Sequence, residues 1–207
     1  EGENSNVTKA IKDVLIACSQ SKIDINSLAP FDIEYFFLQL RGRSVGEAIT
    51  IHPLRPTNFK CCKEAKEEDI CEININVDDI IMDTSKIKAA EIKITDDIGM
   101  KMNFPQLDIV QKYSSGIEGE EIKSENIFKL IIECIEYIWD GDEIFKAKDS
   151  SKKELTDFLD SLNSGQFQQV REFFESMPRL SHDIDWACPK CEKTKPLVLT
   201  GIDSFFG

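Results

Sequence analysis

The sequence predicts an α+β fold, a helical bundle packed with a small antiparallel sheet and closed by a C-terminal zinc-ribbon-like knuckle. Three observations lead there. Apolar residues recur at helical spacing up to about residue 46, alternate strictly between about 47 and 104, and return to helical spacing thereafter. A Cys188-x-x-Cys191 pair sits between two extended runs near the end. The 207 residues, 41% apolar with 10 Gly and 7 Pro, suit one compact domain or two small ones, and folding could bury roughly 70% of the unfolded chain's surface. Residues 1–207 therefore read as one domain in four segments: 1–46 helical, 47–104 antiparallel sheet, 105–180 helical, and 181–207 knuckle and tail.

The first helix rests on Val7, Ile11, Val14, Leu15 and Cys18, with Asn4, Ser5 and Asn6 as cap candidates. The second opens at Pro30, carries an Ile33/Phe36/Phe37/Leu40 stripe expected in the core, and stops at Gly42. Gly46 then precedes a Glu47–Ile51 strand in a backbone conformation that a side chain would resist. Further strands follow at Cys71–Val77, Ala90–Ile94 and Ile98–Phe104, the last two joined by a Thr95-Asp96-Asp97 turn. They form a sheet with one wet face, and the mixed-charge stretch from Lys60 to Glu72 reads as an exposed loop.

A Gly116–Glu121 stretch reads as mobile. After it, Ser124–Trp139 is apolar on nearly every side except the Lys129, Glu133, Glu136 stripe, which predicts the central buried helix. A helical hairpin follows. Ser151 and Glu154 stand in capping-box spacing before Leu155, Phe158, Leu159 and Leu162. Across an Asn163-Ser164-Gly165 turn, Phe167, Val170, Phe173, Phe174 and Met177 make the second arm, which ends at Pro178. The tail reads as two short strands around Cys188-Pro189-Lys190-Cys191, then Phe205-Phe206-Gly207.

Composition narrows the function. With 38 acidic against 25 basic residues the formal net charge is −13, and the pI is near 4.7. Nucleic acid is thereby disfavoured, since a phosphate backbone needs a basic footprint. The most apolar run, Ile127–Trp139, is broken by charges, so no membrane span is expected. No apolar leader precedes Asn6, which points to an intracellular protein. Its expected partners are other proteins.

Seven cysteines, an odd number with no secretory signal, argue against a disulfide framework. Cys18 and Cys134 read as small core residues. Cys188 and Cys191 have half the spacing of a zinc ribbon, and Cys62 with Cys71 complete a candidate tetrahedral set, with Cys61 or His182 as alternative ligands. The alternative is five plain thiols, and structural zinc is an option that folding does not require. His52 and His182 are the only histidines, so nucleophilic catalysis has little to draw on. His52 reads as structural. Acidic groups at Asp140, Asp142 and Glu143, and at Glu118, Glu120 and Glu121, lack calcium-loop spacing and mark solvated turns. Arg41-Gly42-Arg43-Ser44-Val45-Gly46 follows a helix and lacks G-K-[ST], so it is no phosphate loop. From its residues the chain is not an enzyme.

The run from Pro30-Phe31-Asp32-Ile33-Glu34-Tyr35-Phe36-Phe37 through Arg41-Gly42-Arg43-Ser44-Val45-Gly46-Glu47 resembles the hallmark of the T-even-type bacteriophage baseplate family. A cysteine cluster leading into an alternating strand, together Cys61 to Val77, then a helical Phe-Leu-rich region, the CxxC, and the terminal Gly201-Ile202-Asp203-Ser204-Phe205-Phe206 follow in the family's order, so the resemblance spans essentially the whole chain. Two features depart from it: longer relatives carry a further N-terminal region before Glu1, and the first cysteine cluster lacks the CxxC of some relatives. The resemblance implies a baseplate-hub assembly chaperone of contractile-tailed phages that binds hub proteins in the host cytoplasm and has no catalytic residues. Arg43, Ser44, Phe205 and Phe206 are the candidate partner contacts; of the two terminal aromatics, one should anchor the tail while the other faces out. A permanent subunit of the virion baseplate is the alternative. An acidic inhibitor of a host protein is a third reading, disfavoured because the carboxylates are scattered among lysines.

Overall fold

The computed structural model describes residues 3–20, 22–114 and 124–206. In chain order its elements are α1 (Glu3–Ser19), α2 (Pro30–Val45), β1 (Ala48–Ile51), β2 (Ile73–Asn76), β3 (Ile81–Asp83), β4 (Glu91–Lys93) and β5 (Ile98–Met102). Then come α3 (Leu107–Ser114), α4 (Ser124–Glu133), β6 (Ile135–Asp140), β7 (Glu143–Lys146), α5 (Lys152–Asp160), α6 (Ser164–Glu175), β8 (Arg179–Ala187), β9 (Thr194–Thr200) and α7 (Asp203–Phe206). The fold is α+β. The chain forms two compact units, each assembled from two separate stretches: unit 1 from Glu1–Pro30 and Ser85–Met177, unit 2 from Phe31–Thr84 and Pro178–Gly207. The sequence reads instead as four successive segments of one domain. The stretch expected to be mobile, Gly116–Glu121, lies outside the described residues.

Unit 1 is built on a four-stranded antiparallel sheet in the order β4-β5-β6-β7. One expectation fails here, because the helix predicted over Ser124–Trp139 ends at Glu133 and the chain turns into β6. Ile135, Tyr137, Ile138 and Trp139 are β-branched or aromatic, and Asp140-Gly141-Asp142-Glu143 closes a two-residue hairpin onto β7. Tertiary pairing of Met100 with Ile138 in the central strands outweighs local helical periodicity. The helical hairpin α5–α6 covers this sheet. It carries two capping boxes, Ser151 with Glu154 and Asn163 with Gln166. The core gathers Met100, Met102, Ile131, Ile135, Leu159 and Phe173, and Phe104 stacks on Phe173 at 4.8 Å. Each such side chain contributes roughly 1.5–3 kcal/mol by leaving water.

Two polar anchors lock the ends of helices in unit 1. Ser176, buried just after α6, donates its hydroxyl to the Phe173 carbonyl at 2.6 Å and accepts the Lys88 N–H at 3.1 Å. At the end of α4, one Glu133 oxygen accepts from Lys152 at 2.9 Å, Tyr113 at 2.8 Å and Lys112 at 3.1 Å. The Lys152 ammonium, helped by Tyr113 and Lys112, holds the Glu133 carboxyl at about 2 in spite of its partial burial. Cys134 beside it is a core residue, its thiol pushed up to about 12 by burial. Cys18, expected in the core, is exposed on α1, whose buried face centres on Leu15.

Unit 2 holds a two-stranded sheet, β1-β2, and a three-stranded sheet, β3-β8-β9. The single sheet expected over 47–104 is thus distributed over three sheets, because β3 pairs with β8 and β5 with β6, far along the chain. Helix α2 runs past its expected stop at Gly42 to Val45. Gly42 is buried where a Cβ would lie 3.0 Å from Val77 Cγ1, so its role is close packing. The stop is Gly46, at φ +129°, a conformation that side chains resist. Arg41 donates from Nη1 to the carbonyls of Gly46 at 3.0 Å and Ala48 at 3.3 Å, tying the helix end to β1. The buried line of α2 is Ile33, Leu38 and Gly42; Phe36, Phe37 and Leu40 of the expected stripe are only half-buried. Leu38 joins Ile49, Val77, Leu180, Leu199 and Phe205 in the core.

Candidate metal centre

Residues 52–72, between β1 and β2, hold no helix or strand, only an antiparallel bridge between Leu54 and Ile70. Side chains fix this loop. Arg55 donates its N–H to the Asp69 carbonyl at 2.8 Å and its guanidinium to the Phe59 carbonyl. Trp186, fully buried on β8, donates its indole N–H to the Pro53 carbonyl at 3.2 Å and meets the Phe59 ring edge-on at 5.9 Å. The even-numbered residues of β8, among them Leu180, Ile184 and Trp186, face inward, and that alternation continues to the buried Cys188.

Beyond β8 the chain makes a tight knuckle. Cys188 donates its N–H to the Lys193 carbonyl at 2.9 Å, Glu192 donates to the Cys188 carbonyl at 2.8 Å, and Glu192 takes up φ +60°. The N–H groups of Lys190 and Cys191 point at the Cys188 sulfur. The loop repeats the pattern, since the N–H groups of Glu64 and Ala65 point at the sulfur of Cys62. The Sγ atoms of Cys61, Cys62, Cys188 and Cys191 all lie within 4.8 Å of one another.

The electrostatics follow from this crowding. Burial, and donation of its proton to Cys188 and Cys191, push Cys61 up to about 12. Burial would also raise Cys188, but the two N–H groups and the neighbouring thiols outweigh it and draw Cys188 down to about 7. Cys62 is raised, chiefly by burial. Four sulfurs converging on one point are a donor set for a single thiophilic ion.

Of the four residues first expected to share a site, the structure brings together Cys62, Cys188 and Cys191, with Cys61 in the fourth place. Cys71 is not in the group. It continues the inward face of β2, raised by burial, and its sulfur accepts the Ala187 N–H. His182 is committed elsewhere, its Nδ1 donating to the Asp79 carbonyl at 3.0 Å. The Trp186–Phe59–Pro53 clamp is not expected from the sequence; Trp186, two residues before Cys188 on an alternating strand, is its one sequence signal.

The candidate partner contacts divide. Arg43 and Ser44 are exposed on the last turn of α2. Phe205 is buried in the core of unit 2, the place expected of the inward anchor. The Phe206 side chain lies outside the described residues, as do Glu118, Glu120 and Glu121. Asp140, Asp142 and Glu143 are exposed at the β6–β7 turn. His52 is exposed and, with Arg41, Leu54 and Ser204, lines a cleft of about 650 Å³ in unit 2. Among the described residues, no helix is long and apolar enough to cross a membrane.

The family model of the T4 bacteriophage base plate protein matches residues 1–207. The chain is similar to the baseplate hub assembly protein gp26 of Enterobacteria phage T4, 22% identical over 204 residues, which cover 98% of this chain and 83% of the relative. No solved structure matches.

Proposed function

Because the chain belongs to the T4 bacteriophage base plate protein family, we propose that it is a baseplate hub assembly factor, a chaperone that binds hub subunits while a contractile tail is built. The observation that carries this is the similarity, over 98% of this chain, to a protein named for hub assembly. Its working place is then the cytoplasm of the infected cell, its partners are hub proteins, and it acts by binding without catalysis. Exposed apolar side chains support a binding role. Exposed Ile144 and Phe145 lie on β7, which among the described residues pairs with a strand on one edge only, and edge strands are a recurrent place for strand addition.

Quantitative mass spectrometry of purified virions and of hub complexes pulled down from infected cells tests the proposal. Presence in the complexes, with far less than stoichiometric amounts in virions, is the expected result. Stoichiometric retention in virions would make it a permanent baseplate subunit instead. A hydrolase, transferase or redox activity abolished by one point substitution would overturn the reading without catalysis.

A further inference from the structure

We propose that Cys61, Cys62, Cys188 and Cys191 bind one Zn²⁺ in a closed four-thiolate site that staples the 52–72 loop to the β8–β9 hairpin. Tetrahedral zinc with bonds of about 2.3 Å sets its sulfurs about 3.8 Å apart. The four Sγ atoms, already within 4.8 Å of one another, reach that geometry by side-chain rotation and small backbone shifts. The backbone supplies the outer shell. On Cys188 and again on Cys62, the N–H groups two and three residues downstream point at the sulfur, as donors that stabilise a thiolate do. The two segments lie far apart in sequence yet build the same local turn around the same point.

The fold also has a use for such a staple. Loops of this length without regular structure are uncommon in compact units, and a hairpin extending beyond its sheet is marginal by itself. The Trp186–Phe59 contact holds the base of the loop, and the cysteines lie beyond it. Binding releases the thiol protons to solvent and leaves the site with a charge of −2. Lys60, Lys63, Lys190 and Lys193 flank the four ligands in sequence and offset that charge in an otherwise acidic chain. All four coordination positions are taken by protein, so the site is structural, with no open position for a reacting water. It does not depend on the assembly reading of the chain.

The test uses the full chain purified without chelators, measured by inductively coupled plasma mass spectrometry. One zinc per chain is expected, and cobalt substitution should give the thiolate charge-transfer bands of a tetrahedral sulfur site. Cys71→Ser should keep the full zinc content, whereas Cys61→Ser should lose most of it. Should Cys61→Ser fail to fold, a mercurial thiol reagent titrated into a Cys18→Ser, Cys71→Ser chain should release one zinc per chain as the four clustered thiols are modified. Folded protein without stoichiometric metal would overturn the proposal. So would disulfides among these four cysteines in the freshly purified chain, one iron per chain in place of zinc, or loss of zinc in Cys71→Ser with retention in Cys61→Ser.

Discussion

Replacing Phe205 by Ala tests whether the end of the chain is a structural anchor. Phe205 is 2% exposed in the core of unit 2, and α7 packs against β1 and β9. Phe→Ala in a core costs about 3–5 kcal/mol, less where the surroundings can collapse into the space. Helix α7 is only four residues long and can shift into the space, so we expect about 3 kcal/mol for Phe205→Ala and under about 1.5 kcal/mol for the volume-sparing Phe205→Leu. Urea unfolding read by Trp186 fluorescence, in a Trp139→Phe background, reports unit 2 alone. With a slope of about 1–3 kcal/mol per molar urea, the midpoint should fall by about 1–3 M. A loss below about 1 kcal/mol, accompanied by failed hub association, would refute the core assignment and make Phe205 a partner contact.

Gly42→Val should destabilise unit 2 by about 2 kcal/mol or more, because its branches would enter the space of Val77. Val77→Ala should recover part of that loss in the double variant, and strict additivity would show that the two do not touch. Ser176→Ala should cost about 1–2 kcal/mol by leaving the Lys88 N–H without its acceptor, and should speed amide exchange at Lys88. Glu133 is held at about 2 against an ordinary 4.5. Its contribution is therefore complete above about pH 4.5 and fades as pH falls toward 2, worth about 1 kcal/mol once the exposed lysine partners are screened. Glu133→Gln should lower stability at pH 7 and flatten that acid slope; an unchanged slope would exclude the three-donor anchor as its source.

Legibility in the sequence tracked how local the governing interaction is. The α5–α6 hairpin follows from two capping boxes and a turn, all within a few residues, and the structure has both arms. The conversion of Ile135–Asp140 into a strand depends on β5 and is invisible to helical periodicity. The turn at Asp140–Glu143 is visible in the sequence, but it fixes only where the apolar run stops and not whether that run is helix or strand. Gly42 and Gly46 both look like helix stops, and only the contact with Val77 tells which one is. For the thiols, CxxC spacing identified Cys188 and Cys191. The choice of Cys61 over Cys71 is set by a loop whose path depends on Trp186, more than a hundred residues away.

The discontinuous make-up of the two units sets an order of events on the ribosome. At about 5–20 residues per second, Cys188 is added roughly 6–25 s after Cys62, and β3 waits about as long for β8. Unit 1 has all its segments once Met177 is made, whereas unit 2, begun at Phe31, still waits for Pro178–Gly207. A stop codon at residue 178 would therefore release a chain with unit 1 entire and unit 2 lacking β8, β9, Trp186 and two of the four clustered thiols. Ile49, Ile75 and Val77 would then have no Leu180, Leu199 or Phe205 to pack against, leaving a nascent apolar surface open to other chains.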